Sequence, residues 1–285
     1  MLPVSDVNAI QPDGATAVHW AAYQDDLEMV RLLVGAGADP DVANELGVTP
    51  LVLACANGNP IIVKLLLDAG AEADVAVGTG ETALMGCART GNPDAVAALV
   101  AANADVNARE PVEQQTALMW AVAHSHTEVA RLLLESGADV NARSRVRRQV
   151  ISRRLQSELK YGELGRSYGT DAEETSVGGF TPLLFAARHG DIATARVLLD
   201  AGADVNDRAP DGAGALVVAI HSGHGSFAMF LLEQGANPNA AAAGYTALHA
   251  AVLTGDSKVI EKLLGHGARP DAQVTLATRV TRNGQ

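Results

Sequence analysis

Residues 116–141 read TALMWAVAHSHTEVARLLLESGADVN, two short apolar runs between a threonine and a Gly-Ala-Asp tail. A Thr-x-Leu/Val start recurs at Thr16, Thr49, Thr82, Thr116, Thr181 and Thr246, spaced by 33, 33, 34, 65 and 65 residues. A degenerate GALV at Gly214 divides the last interval into 33 and 32. Twenty-one residues after each start lies a tail: GADPD at Gly37, GAEAD at Gly70, NADVN at Asn103, GADVN at Gly137 and Gly202, GANPN at Gly235 and GARPD at Gly267. Seven copies in phase mark a repeat architecture rather than one globular core.

The pattern has a physical reading of its own. Threonine is a good N-cap, and Pro50 and Pro182 follow it at the first helical position, where a missing amide donor costs nothing. Gly58, Gly91, Gly190, Gly223 and Gly255 fall where a left-handed residue ends that first helix. Amphipathic runs such as EMVRLLVGAG predict a second helix, closed by the tail glycine, or in the third unit by Asn103, the next best residue for a left-handed conformation. A lone helix pair of this size cannot bury its apolar face, whereas stacked neighbours bury one continuous core.

These motifs, starts such as TPLV at Thr49, TPLL at Thr181 and TALH at Thr246 with ends such as LLESGADVN and LLDAGADVN, resemble the ankyrin repeat, whose pattern is Thr-Pro-Leu-His at the start and Leu-Leu-x-x-Gly-Ala-Asp-Val-Asn at the end, and the likeness covers nearly all of the chain. It implies an all-α solenoid of stacked helix-turn-helix units with short β-hairpin loops, acting as a non-enzymatic protein-binding scaffold. The expected organisation is a partial repeat end at 1–10, repeats one to four at 11–144, an insertion at 145–177, repeats five to seven at 178–275, and the start of a truncated repeat at 276–285. Ser5-Asp6-Val7-Asn8 and Asn283-Gly284-Gln285 match parts of incomplete repeats, so the sequence reads as a segment of a longer repeat protein or as a natural chain with an annexed start codon, and the expected state is a monomer or part of a longer chain. On this reading the first helix pair, with Trp20, Leu32 and Leu33, lacks an upstream cover.

Composition fits thin layers of small helices: 48% of residues are hydrophobic but only 4% aromatic. A net charge of -12 argues against binding nucleic acid over the whole surface. No apolar run approaches a membrane span, and the start carries no signal-peptide pattern, so the expected location is cytoplasmic as written, or periplasmic or secreted if a leader lies upstream. Arg outnumbers Lys by 17 to 4 and alanine is abundant, which suggests a GC-rich bacterial source. Cys55 and Cys87 stand where other units carry alanine and read as small buried side chains, with a disulfide as the alternative.

In the family this chain resembles, function lies on the hairpin tips and the inner face of the first helices. That places Tyr23, Arg89, His124, Arg188 and His189, seven or eight positions after their threonines, among the candidate contacts, with Phe180 and Tyr245 at hairpin positions. Aromatic and Arg side chains are the usual interface anchors. Trp20, Trp120 and Phe185 share another register and read as inter-repeat packing. His124 and His126 form an HxH pair, but no three or four ligands converge, so no metal, cofactor or catalytic residue is expected.

The insertion begins in ARSRVRRQVISRRLQSELK, residues 142–160, with seven basic side chains and one Glu. Ile151, Leu155 and Leu159 at i, i+4 and i+8 predict a helix in its first half. It lengthens one hairpin, and it reads as a solvated loop, as a latch folding arginines onto the acidic scaffold, or as a docking element built on Arg147, Arg148, Arg153 and Arg154. The last reading gives the alternative function, an electrostatic adaptor for nucleic acid or an anionic membrane.

Overall fold

The computed structural model of the chain describes residues 6–153, 171–242 and 245–273. Contacts divide the chain into two compact units, Met1–Arg145 with Thr181–Asp204 and Val146–Phe180 with Val205–Gln285. The first unit holds five consecutive helix pairs: α1 (Ala17–Tyr23) with α2 (Leu27–Gly35), α3 (Pro50–Asn57) with α4 (Pro60–Asp68), and α5 (Ala83–Thr90) with α6 (Pro93–Ala101). Then come α7 (Ala117–Ala123) with α8 (Thr127–Glu135), and α9 (Pro182–His189) with α10 (Ile192–Asp200). First helices stack on first helices and second on second along the unit.

Each boundary has a chemical cause. The side chains of Thr49, Thr82 and Thr116 accept from the amides of Val52, Met85 and Met119 at 3.5, 3.3 and 3.5 Å, as N-caps do. Asp26, Asn59, Asn92 and Asp191 cap the second helices in the same way. Asn103 takes a φ of 65°, the left-handed turn that glycine makes in the other tails.

At two starts a histidine, His19 or His249, joins the threonine in capping the helix, and His19 adds a link to the next repeat. Thr16 N–H donates to His19 Nδ1 at 3.1 Å, so that nitrogen is unprotonated, and Nε2–H donates to the Val48 carbonyl at 3.0 Å. Burial holds His19 below the ordinary histidine pKa, against the raising effects of its Val48 bond and Asp13.

The tails form a second ladder. The closing Asp or Asn of one tail accepts the amide of the third residue of the next: Asn8 from Asp39, Asp41 from Glu72 and Asn107 from Asp139, each at 2.8 Å. The Asp or Asn of the repeat signature is therefore an inter-repeat connector. Between these ladders the core is alanine with one large layer of leucine and isoleucine, including fully buried Leu51, Ile62, Leu66, Leu84, Leu118 and Leu133. Each such side chain contributes about 1.5–3 kcal/mol by its removal from water.

Cys55 and Cys87 are wholly buried and joined as a disulfide with Cα atoms 4.5 Å apart. The sixth residue after one threonine meets the fifth residue after the next, and only in this pair of repeats are both cysteine. The reading as two separate small side chains is thus corrected.

The second unit contains β1 (Val146–Arg153), β2 (Asp171–Gly178), the pair α11 (Ala215–His221) and α12 (Gly225–Glu233), β3 (Ala241–Ala242), β4 (Tyr245–Thr246), and the pair α13 (Ala247–Thr254) and α14 (Ser257–Gly265). Its helices pack first on first and second on second, and the tails link through Asn206 to Asn237 and Asn239 to Arg269 at 2.8 Å. The helix expected around Ile151 is instead strand β1, antiparallel to β2 from Val146↔Gly178 to Arg153↔Asp171. The i, i+4 spacing of Ile151, Leu155 and Leu159 lost to a long-range ladder that pairs eight residues with a segment far along the chain; Leu155 and Leu159 lie outside the described residues. In the first unit, α9 and α10 pack directly on α7 and α8, with Thr127 and Thr194 hydroxyls 2.8 Å apart, so the stack is unbroken across the insertion.

Candidate functional site

The first helices of the first unit end in a row of solvent-facing side chains. Tyr23 is 63% exposed at the end of α1 and meets Trp20, 43% exposed, edge-on with ring centroids 6.2 Å apart. Trp20 donates its indole N–H to Gln11 at 3.1 Å. Asn57, at the end of α3, donates to the carbonyls of Ala22 and Tyr23 at 2.9 and 3.1 Å, which fixes the neighbouring end of α1. Leu32 is 67% exposed, so the first pair presents an aromatic and aliphatic surface among the described residues.

Further along, three repeats build a cationic cluster. Arg89 on α5 lies over the Trp120 ring of α7, its guanidinium carbon 5.3 Å from the centroid, and its Nη1 is 3.5 Å from Glu81. Such stacking leaves the planar fork of donors pointing sideways. His126, at the head of α8, donates Nε2–H to the Arg89 carbonyl at 2.9 Å, holding the end of α5 in place. Its ring packs where a Cβ on Gly91 would stand, and Gly91 has a φ of 82°, so only glycine satisfies both the turn and the ring.

His124 is exposed just beyond α7, with its ring 6.1 Å from that of His126 in an edge-on arrangement. Its pKa lies below the ordinary value, first through partial burial and then through His126, Arg89 and His189. That ordering shows His124 within the electrostatic reach of side chains from three repeats. His189 on α9 is exposed and its Nδ1–H donates to the Phe185 carbonyl at 2.9 Å. Arg188 beside it is exposed as well. The Trp120 indole N–H is buried without a hydrogen-bond partner.

The remaining sequence candidates belong to the second unit. Phe180 is half-buried, so the exposed aromatic tip expected there is partly covered. Arg147 and Arg148 are exposed on β1. Arg153 stands in register opposite Asp171, and Tyr245 opposite Ala242, while their side chains and the whole of Arg154 lie outside the described residues. The insertion carries seven Lys and Arg against five Asp and Glu, and β2 brings Asp171, Glu173 and Glu174 to the strand paired with β1.

A second surface is a mainly apolar groove of about 620 Å³ among α2, α4 and α6, with Val34, Ile61 and Leu65 in its lining beside the charged Lys64, Asp68 and Asp94. Among the described residues no group of three or more His, Cys, Asp or Glu side chains could hold a metal ion, and no helix is long and apolar enough to cross a membrane. Of the residues in the cationic cluster, the sequence pattern pointed to Arg89, His124 and His189 through their register. It assigned Trp120 to packing; the signal available was its place four residues after Thr116, one repeat on from Arg89.

Capped helix pairs, inter-repeat ladders and a row of exposed inner side chains define an α-helical repeat protein with a preformed surface. The chain belongs to the ankyrin repeat family, whose model, ankyrin repeats (3 copies), matches residues 1–77, 58–144 and 183–274. Among solved structures it is similar to the ankyrin repeat domain of Bcl-3, a member of the IkappaB protein family, with a TM-score of 0.66 and 29% identity, covering 89% of this chain and 100% of that one. Protein phosphatase 1 regulatory subunit 27 of Mus musculus is 45% identical over 56 residues, 20% of this chain and 36% of the relative. BRCA1-associated RING domain protein 1 of Caenorhabditis elegans is 32% identical over 123 residues, 41% of this chain and 17% of the relative. The chain therefore spans well under two thirds of these relatives, and, as animal proteins, they lend no support to a bacterial source.

Proposed function

We propose that this chain is a seven-repeat, non-enzymatic scaffold that binds another protein along the inner helix ends of its first unit. The observation behind the proposal is the contrast within single helices. On α5, Ala83, Leu84, Met85, Cys87 and Ala88 are fully buried while Arg89 reaches solvent; on α7, Leu118 and Met119 are buried while His124 beyond the helix end is exposed. A rigid row of this kind binds with little ordering of the scaffold itself. The regulatory subunit and the Bcl-3 domain, to which this chain is similar, support an interaction role over a catalytic one.

The adaptor alternative is weaker because β1 pairs with a strand that brings Asp171, Glu173 and Glu174 beside its arginines, Arg153 standing directly opposite Asp171. The buried Cys55–Cys87 bond supports an oxidising compartment over the cytoplasm. The test is affinity purification of the full chain beside Tyr23→Ala, Arg89→Ala and His124→Ala variants with unchanged circular dichroism. Each substitution is expected to weaken capture of the same partner protein by about fivefold or more, as hot-spot residues do. Undiminished capture by all three sinks the proposed surface.

A further inference from the structure

We propose that the strip formed by Arg89, Trp120, His124 and His189 receives an acidic peptide segment of the partner, an Asp- or Glu-rich stretch lying across the third to fifth helix pairs. This rests on the reading of the inner helix ends as the binding surface and adds the chemistry of what binds.

The first argument is charge. In a chain of net charge -12, Arg89 near the end of α5, His126 at the head of α8 and His189 at the end of α9 all lie within electrostatic reach of His124. The charged and titratable groups around His124 are Arg89 of α5 and Glu81 before it, His126 at the head of α8, and Arg188 and His189 of α9. Glu81 meets Arg89 through one amino group at 3.5 Å, a long contact that leaves the cluster with an excess of basic groups.

The second argument is geometry. Arg89 lies over the Trp120 ring with its guanidinium carbon 5.3 Å from the centroid, and a guanidinium seated on an aromatic face is suited to meeting a carboxylate in bidentate fashion. His126 fixes the backbone beneath it. The half-buried Trp120 ring supplies an apolar floor. A carboxylate-bearing segment matches these basic groups over one aromatic floor, whereas a basic segment finds among the groups around His124 only Glu81, which Arg89 already meets.

The third argument is linkage. Burial and its basic neighbours hold His124 uncharged at neutral pH. An incoming carboxylate reverses that balance, so binding draws a proton onto His124 and strengthens as pH falls below the ordinary histidine range.

The experiment uses the full chain with Trp20→Phe, which leaves Trp120 as the single tryptophan of the two. Its fluorescence is titrated with a short Asp/Ser peptide, a matched Lys/Ser peptide and a short single-stranded DNA. The Asp/Ser peptide is expected to bind, and to bind several-fold more tightly at about pH 5.5 than at about pH 7.5, on either side of the ordinary histidine pKa. Arg89→Gln is expected to lower affinity by about fivefold or more, and His124→Gln to flatten the pH dependence. Equal response to the Lys/Ser peptide, preference for the DNA, or a pH dependence unchanged by His124→Gln each overturns the proposal. If the peptide fails while Tyr23→Ala and His124→Ala still abolish capture of the natural partner, the acidic assignment falls and the scaffold reading stands.

Discussion

Replacing Gly91 by alanine perturbs the turn that supports the cationic cluster, and its cost follows from two separate geometric facts. Gly91 closes α5 at a φ of 82°, a conformation that costs an L-residue about 1 kcal/mol or slightly more. A Cβ there would also occupy the space of the His126 ring, which must turn away and give up its bond to the Arg89 carbonyl. Losing that bond adds about 1 kcal/mol. The expected total is about 2 kcal/mol, the sum of the left-handed and hydrogen-bond contributions. Gly255 is the internal control, because it closes α13 at a φ of 72° with nothing within 4 Å of an added Cβ. Gly255→Ala should therefore cost only the left-handed contribution, about 1 kcal/mol. Urea unfolding followed by circular dichroism measures both, and histidine NMR follows the rings of His124 and His126. Equal losses in the two variants would refute the packing of His126 on Gly91, and an unchanged His126 signal in Gly91→Ala would refute its role in holding α5.

Three further outcomes are expected. His19 has a pKa below the ordinary value, so the unfolded chain binds its proton more tightly. The stability it confers is complete above about pH 6.5, is lost as pH falls from there through its folded value, and is the part of the pH dependence that His19→Gln should remove. The Cys55–Cys87 bond closes a loop of 32 residues, and its reduction, or Cys55→Ala with Cys87→Ala, should lower stability by about 4 kcal/mol on the chain-entropy model. A mass for the unreduced protein identical to that of the reduced one would disprove the bond. Asn107→Ala removes both the acceptor for the Asp139 amide and the donor to the Gly137 carbonyl and should cost about 1–2 kcal/mol, with the loss from Asn57→Leu independent of it; strongly non-additive losses would contradict separate ladders.

Most of the fold was legible because it is written locally. Threonine caps, Pro50 and Pro182 at helix starts, and left-handed glycines or Asn103 at helix ends act within a few residues of themselves, and the 33-residue repetition carries them along the chain. What escaped depends on how one repeat meets the next. The Cys55–Cys87 bond needs the sixth position of one unit to face the fifth of another, a register absent from either unit alone. Ile151 lies on a strand because 146–153 pairs with 171–178, and no local spacing competes with eight cross-strand partners. Arg89, His124 and His189 could be picked out singly by register, whereas the stacking of Arg89 on Trp120 joins side chains 31 positions apart.

The central claim, that a partner protein docks on the inner helix ends of the first unit, is tested most directly by site-specific photo-cross-linking in cells that make the protein. A photoreactive phenylalanine is placed in turn at Tyr23, at His124, at Lys64 on an outer helix and at Arg148 on β1. The account predicts protein adducts of the same mass from Tyr23 and His124, with neither Lys64 nor Arg148 reproducing them. Adducts confined to Lys64, or nucleic acid and lipid adducts at Arg148 with none from the inner positions, would contradict it.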